Sequence, residues 1–108
     1  MVRISEHCDL LDGAGKPPLE TFSAEQLKPI RAMITAGGQV IPAAVLDTLP
    51  SLGAIICYGT GYDGVDFAET AKRKILVGNS PAANAASVAD LALTLMLAVT
   101  RRLLSGDA

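Results

Sequence analysis

Residues 54–66 read Ala54-Ile55-Ile56-Cys57-Tyr58-Gly59-Thr60-Gly61-Tyr62-Asp63-Gly64-Val65-Asp66. The first four are a continuous apolar run of strand length, the kind that suits two-sided burial in a parallel sheet. A glycine-rich turn follows, and Asp66 with Glu69 then opens a helix through Arg73. Ile75-Leu76-Val77 gives the next strand. Upstream, Ala32-Met33-Ile34-Thr35 reads as a strand closed by Gly37-Gly38. Pro42 suits the first turn of a helix whose apolar face is Val45, Leu46 and Leu49, and Pro50 stops it. Further back, Ser23 and Gln26 form a capping box for a short helix ending near Pro29, after a loop over residues 12–18. Residues 2–6 alternate apolar and polar as a half-buried strand would. The expected order is βαβαβαβ: an α/β fold with a small parallel sheet of about four strands, right-handed crossovers and helices on both faces.

After Asn79-Ser80-Pro81, the run Ser87-Val88-Ala89-Asp90 matches a capping box, and its helix should reach about Leu103. Arg101 and Arg102 then fall in the last turn, favourable at the negative end of the dipole, with Gly106 as the stop. Val88, Leu91, Leu95 and Val99 form one apolar stripe, while Leu93, Met96, Leu97 and Leu104 spread around the rest. One small sheet cannot cover such a helix, so a further domain or a second subunit is expected over residues 87–103.

The length of 108 residues is that of one domain and too short for a complete two-domain enzyme. Half the residues are hydrophobic and 19% are charged, which disfavours disorder. The net charge is −2, and no block of like sign exceeds Lys72-Arg73-Lys74, which argues against nucleic acid or an anionic membrane as partner. Cys8 and Cys57 are too few for a disulfide framework and lack metal-ligand spacing, so both read as reduced thiols in a cytoplasmic protein. The N-terminus has no secretory pattern, and the apolar stretch over residues 88–99, interrupted by Asp90, falls short of the ~20 residues of a membrane span.

Gly59-Thr60-Gly61-Tyr62-Asp63-Gly64 has the dinucleotide-binding G-x-G-x-x-G spacing. Two features depart from that fingerprint. Asp66 delays the helix past the glycines, and residues 79–87 contain no acid to hold a ribose. The turn nevertheless leaves the carboxyl end of a parallel strand, where ligands of open sheets bind. Successive backbone N–H groups in such a turn can form a nest for a carboxylate or phosphate. The alternative is a tight turn with no ligand. Tyr58 and Tyr62 flank the turn, either lining a small pocket or packing half-buried. Asp66 reads as a helix cap, Asp63 as a turn hydrogen-bonding residue, and Cys57 as core.

Four stretches in order, residues 46–52, 58–66, 77–81 and 88–93, resemble the D-isomer-specific 2-hydroxyacid dehydrogenase family, within it the glyoxylate/hydroxypyruvate reductase-like branch. The resemblance runs over about residues 30–103. It implies an NAD(P)-dependent oxidoreductase acting on small 2-hydroxy or 2-keto acids. Residues 1–108 would be the substrate-binding (catalytic), flavodoxin-like portion, incomplete at its start, with the dinucleotide-binding domain absent. The resemblance also implies that backbone N–H groups at Thr60 and Gly61 take the carboxylate of the 2-keto acid. Tyr58 and Gly59 belong to the same turn, and Asn79 and Pro81 lie beside the cleft. Thr60 and Ser87 are the candidate cofactor contacts; at the position where many members place Thr or Ser near the cofactor, Ala85 stands instead. NAD or NADP would belong to the parent enzyme, and no tight binding to this chain is expected. The family's catalytic Arg, Glu and His fall outside these residues, so none here is assigned catalysis and the chain alone is expected to be inactive. His7 reads as a surface or strand-end residue rather than a catalytic acid. Other readings are a non-catalytic oligomerisation module or a truncated gene product.

Overall fold

The computed structural model describes residues 2–14, 16 and 18–103, with the side chains of Val2 and Arg3 excepted. Its centre is a parallel sheet of three strands in the order β1 (Ala32–Thr35), β2 (Ala54–Cys57), β3 (Leu76–Gly78). Ala32 pairs with Ala54 and Ala54 with Leu76, and the ladder continues through Ile34, Ile56 and Gly78. The helices are α1 (Val2–Ser5), α2 (Pro18–Thr21), α3 (Ala24–Leu27), α4 (Ala43–Asp47), α5 (Phe67–Lys72) and α6 (Ala85–Thr100). The parallel α/β architecture read from the sequence is therefore present, with β1 and β2 at their expected bounds and β3 displaced by one residue.

The sheet has three strands rather than about four because residues 2–5 are helical. His7 and Cys8 N–H groups donate to the Ile4 carbonyl at 3.0 and 3.2 Å, closing a helical turn. Five residues are too few to separate a period of 2 from one of 3.6. Within the expected loop, Pro18 starts α2, where its missing N–H costs nothing. The capping box at Ser23 and Gln26 is formed: the Gln26 N–H donates to Ser23 Oγ at 3.3 Å, and the Ser23 N–H to Gln26 Oε1 at 3.0 Å.

The strand order explains how the sheet is covered. Both crossovers advance in the same direction, so two connections of one hand lay α4 and α5 on the same face. Arg73, which caps α5, reaches Asp47 of α4 at 2.6 Å and Glu69 at 3.2 Å. Hydrogen bonding to Lys72, then to Arg73, holds the Glu69 carboxyl below its usual range. Under these helices lies one core: Leu27, Ile41, Leu46, Leu49, Leu52, Ile55, Cys57, Val65 and Ile75. The opposite face carries Ile34, Ile56 and Leu76 and is much less covered, with Leu76 76% exposed. A reversal of strand order, which a further strand would supply, is what places helices on the second face of a doubly wound sheet.

Two boundaries of the last helix differ from expectation. It begins at Ala85 with Asn84 as N-cap, so Ser87 is its third residue and caps nothing. Ala85 and Ala86 are good helix formers and extend the helix past the Ser87–Asp90 pattern. At the other end Arg101 is the C-cap and Arg102 turns left-handed at φ 51°, so the helix stops before Leu103. Gly106 lies outside the described residues.

The end of α5 supplies a test. Lys74 sits at φ 57°, with its N–H bonded to Ala71 O and the Ile75 N–H to Thr70 O, the paired bonds of a Schellman stop. A side chain is strained there, so Lys74→Gly should raise stability by about 0.5–1 kcal/mol in chemical denaturation. Lower stability would show that the position is not left-handed in solution.

Candidate functional site

Parallel strands bring their carboxyl ends to one edge, so three loops gather there: residues 36–40 after β1, 58–66 after β2 and 79–84 after β3. Backbone bonds tie the middle loop to both neighbours. Toward β1, the Gly64 N–H donates to Gly37 O at 2.9 Å and the Ile41 N–H to Gly64 O at 3.0 Å. Toward β3, the Ser80 N–H donates to Gly59 O at 3.0 Å and Asn79 Nδ2 to Thr60 O at 2.8 Å. Thr60 Oγ1 reaches Ser80 O at 3.4 Å.

Between these ties, the N–H groups of Gly59, Thr60 and Gly61 donate to no atom among the described residues. Neither glycine is demanded by its own backbone or neighbours. Gly59 has nothing within 4 Å of where a side chain would begin, Gly61 has only Asp63 Oδ2 at 3.9 Å, and neither holds a positive φ. Glycine without a steric reason of its own suits a place where a ligand approaches backbone. Three successive unpaired N–H groups supply the donors an anion needs.

An open cleft of about 670 Å³ adjoins this turn, walled by Thr60, Ala82, Asn84, Ala85, Val88, Ala89 and Ala92. Its far side is the first half of α6, made mostly of small apolar residues. Of the two candidate cofactor contacts, Thr60 lines the cleft and Ser87 does not. Because α6 starts three residues earlier than the Ser87 cap implied, Ala85, Val88, Ala89 and Ala92 are the helix residues on the cleft.

The remaining candidates divide. Asn79 is bonded directly to the turn, whereas Pro81 is an exposed residue of the loop leading to α6. Tyr58 and Tyr62 are exposed rather than half-buried, and Tyr62 meets Phe67 edge-on with ring centroids 5.6 Å apart. Asp66 caps α5 as expected, accepting from the Ala68 and Glu69 N–H groups at 2.9 and 3.1 Å. The Asp63 carboxylate, expected to bond within the turn, accepts no hydrogen bond among the described residues. Cys57 is buried in the core, and Cys8 and His7 are exposed. Sequence reading passed over Ala82, whose φ of 57° is strained for a side-chain-bearing residue. It also treated Gly37 only as a strand terminator.

The turn does not fit a dinucleotide phosphate. Its strand-to-helix passage ends at the Asp66 cap, so the first helical residue is Phe67, beyond all three glycines. The cleft offers one hydroxyl, on Thr60, and no charged side chain. Among the described residues no group of three or more His, Cys, Asp or Glu is placed to hold a metal, and no helix is long and apolar enough to cross a membrane.

Residues 7–105 match the family model described as D-isomer specific 2-hydroxyacid dehydrogenase, catalytic domain. The chain is 36% identical over 93 residues to a glyoxylate reductase of Thermococcus litoralis, covering 86% of this chain and 28% of that protein. It is 37% identical over 90 residues to a 2-ketogluconate reductase of Gluconobacter oxydans, covering 80% of this chain and 29% of that protein. Among solved structures, a dehydrogenase from Rhizobium meliloti superposes with a TM-score of 0.73 at 42% identity, over 91% of this chain and 34% of that one. The chain thus spans about a third or less of the length of these relatives.

The tie from Asn79 is a direct test of how the turn is held. Asn79→Ala removes one neutral hydrogen bond, worth about 1 kcal/mol. Exchange of the Ser80 amide hydrogen should then quicken about fivefold, with the strand amides unchanged. An unchanged Ser80 rate would show that the Asn79 bond does not hold the loop.

Proposed function

The chain belongs to the D-isomer specific 2-hydroxyacid dehydrogenase family, and from that premise we propose that it is the substrate-binding portion of an NAD(P)-dependent oxidoreductase. Its substrate would be a small 2-hydroxy or 2-keto acid of the glyoxylate or hydroxypyruvate type. The observation that carries this reading is the row of unpaired N–H groups from Gly59 to Gly61 at the carboxyl end of the central strand. A carboxylate there accepts from Thr60 and Gly61, and charge-assisted bonds of this kind are about twice as strong as neutral ones. Asn79 holds the Thr60 peptide from behind through its carbonyl. The anchored acid then projects its second carbon toward the cleft beside Thr60 and α6.

Hydride chemistry is the cofactor's, and in this reading the cofactor and its domain belong to the rest of the parent protein. Among the described residues no titratable side chain lines the cleft, and in this reading the chain binds and orients the acid while catalysis belongs to the rest of the parent protein. Thr60 is the one candidate cofactor contact that lines the cleft, and Ser87 falls away from it. The setting is a cytoplasmic protein with two free thiols.

A second reading concerns α6, none of whose sixteen residues is buried. Val88, Leu91, Leu93, Leu95, Met96, Leu97 and Val99 are all exposed. An apolar helix of this kind is covered in the working protein by the cofactor domain or by a second subunit.

Oxalate, a stable two-carbon dicarboxylate shaped like a 2-keto acid, tests the first reading by calorimetry. Binding in the millimolar range is expected, within threefold for Thr60→Ala because the donors are backbone groups, and about fivefold weaker for Asn79→Ala. No binding, or loss on Thr60→Ala, contradicts it. The chain alone should not oxidise NADH with glyoxylate, and stoichiometric turnover would overturn the division of roles. For α6, light scattering across a hundredfold concentration range should show mass rising with concentration if a second copy covers the helix. A constant monomer mass leaves the cofactor domain as its cover.

A further inference from the structure

We infer that Gly37 is a positioning residue for the anion turn, holding Gly61 in place from the neighbouring loop; its bearing on substrate rests on the carboxylate reading above. The five glycines of the two loops, Gly37, Gly38, Gly59, Gly61 and Gly64, divide sharply by what surrounds them, Gly61 having only Asp63 Oδ2 at 3.9 Å. Gly38 and Gly59 have no atom within 4 Å of a would-be side chain. Gly37 and Gly64 have backbone in that space: a methyl on Gly37 would overlap the Gly61 carbonyl and approach the Tyr62 nitrogen, and one on Gly64 would overlap the Gln39 carbonyl. The two loops therefore lie backbone against backbone at both points. Two hydrogen bonds fix the register of that contact, Gly64 N–H to Gly37 O at 2.9 Å and Ile41 N–H to Gly64 O at 3.0 Å.

The consequence reaches the ligand. Gly61 supplies one of the unpaired N–H groups, and its own carbonyl is the atom lying against Gly37. A peptide plane is rigid, so displacing the Gly61 carbonyl rotates the Gly61–Tyr62 peptide and shifts the chain that carries the Gly61 N–H. Asn79 holds the same turn at Thr60 O from the opposite side. The turn is thus gripped at both ends, at Thr60 from the β3 side and at Gly61 from the β1 side. Neither Gly37 nor Asn79 needs to face the reacting carbon.

Gly37→Ala and Gly38→Ala, compared by amide NMR in the 108-residue chain, test this. The two carry the same chemical change one residue apart, and only the first meets backbone. Without ligand, hydrogen exchange at the Gly64 and Ile41 amides should be at least tenfold faster in G37A than in the unmodified chain or G38A, with Ile55 unchanged. Equal rates in all three overturn the inference whatever the ligand does. With oxalate, at a temperature where every variant is fully folded, the shift changes at Thr60 and Gly61 should report at least tenfold weaker affinity in G37A and unchanged affinity in G38A. A merely structural role would lower the melting temperature of G37A and leave that affinity intact, which also overturns the inference. If oxalate shifts nothing in any variant while the exchange pattern holds, the carboxylate reading fails and the grip of Gly37 on the turn stands. Should G37A not fold, the unmodified chain decides. Its Gly64 and Ile41 amides must exchange at least a hundredfold more slowly than the unpaired Thr60 and Gly61 amides, and comparable rates refute the contact.

Discussion

The structure depends on the pairing of β2 with a parallel neighbour on each side. Parallel ladders align the carboxyl ends of β1, β2 and β3, which is why loops far apart in sequence meet at one edge. The same arrangement forces each connection to cross over through a helix. Because the strands follow one another in order, both crossover helices share a face and Arg73 can reach from α5 to Asp47 of α4. The core under that face is assembled from Ile55 and Cys57 of β2 and the leucines of α3, α4 and the loop after α4. The gathered loops and a one-sided core thus have a single origin.

At that edge the glycines play two roles that spacing alone does not distinguish. Gly37 and Gly64 are required by the close approach of two backbones, while Gly59 and Gly61 are free of any such demand. The G-x-G-x-x-G pattern mixes the two, since its last glycine packs and its first two stand open. A dinucleotide fingerprint needs its glycines at the start of a helix, and here Asp66 places that start beyond them. What is left is a turn of unpaired N–H groups with no phosphate-binding helix behind it.

Much of this was legible in the sequence where a strong local signal existed. The apolar runs of β1 and β2, the Ser23–Gln26 box and the Asp66 cap are local features, and each took its expected form. Residues 2–6 carried too few positions to fix a period, and helix won over strand. Ser87 and Asp90 had the spacing of a capping box, yet Asn84 and two alanines began the helix sooner and turned Ser87 away from the cleft. The contact between Gly37 and Gly61 joins residues 24 apart. No periodicity or motif announces such a contact, so it emerged only with the fold. The strained Ala82 was likewise invisible, because nothing in its residue type asks for a left-handed backbone.

The family match spans residues 7–105, and the turn after β2 leaves the N–H groups of Gly59, Thr60 and Gly61 unpaired among the described residues. None of the sixteen residues of α6 is buried, so its apolar length lies open in this structure. Whether a carboxylate binds at this turn is read most directly from a crystal structure of the chain with oxalate. Carboxylate oxygens are expected about 2.7–2.9 Å from the N–H groups of Thr60 and Gly61, with the molecule facing the cleft walled by Ala85 and Val88. Oxalate bound elsewhere, or a turn whose N–H groups face away from the cleft, would contradict it.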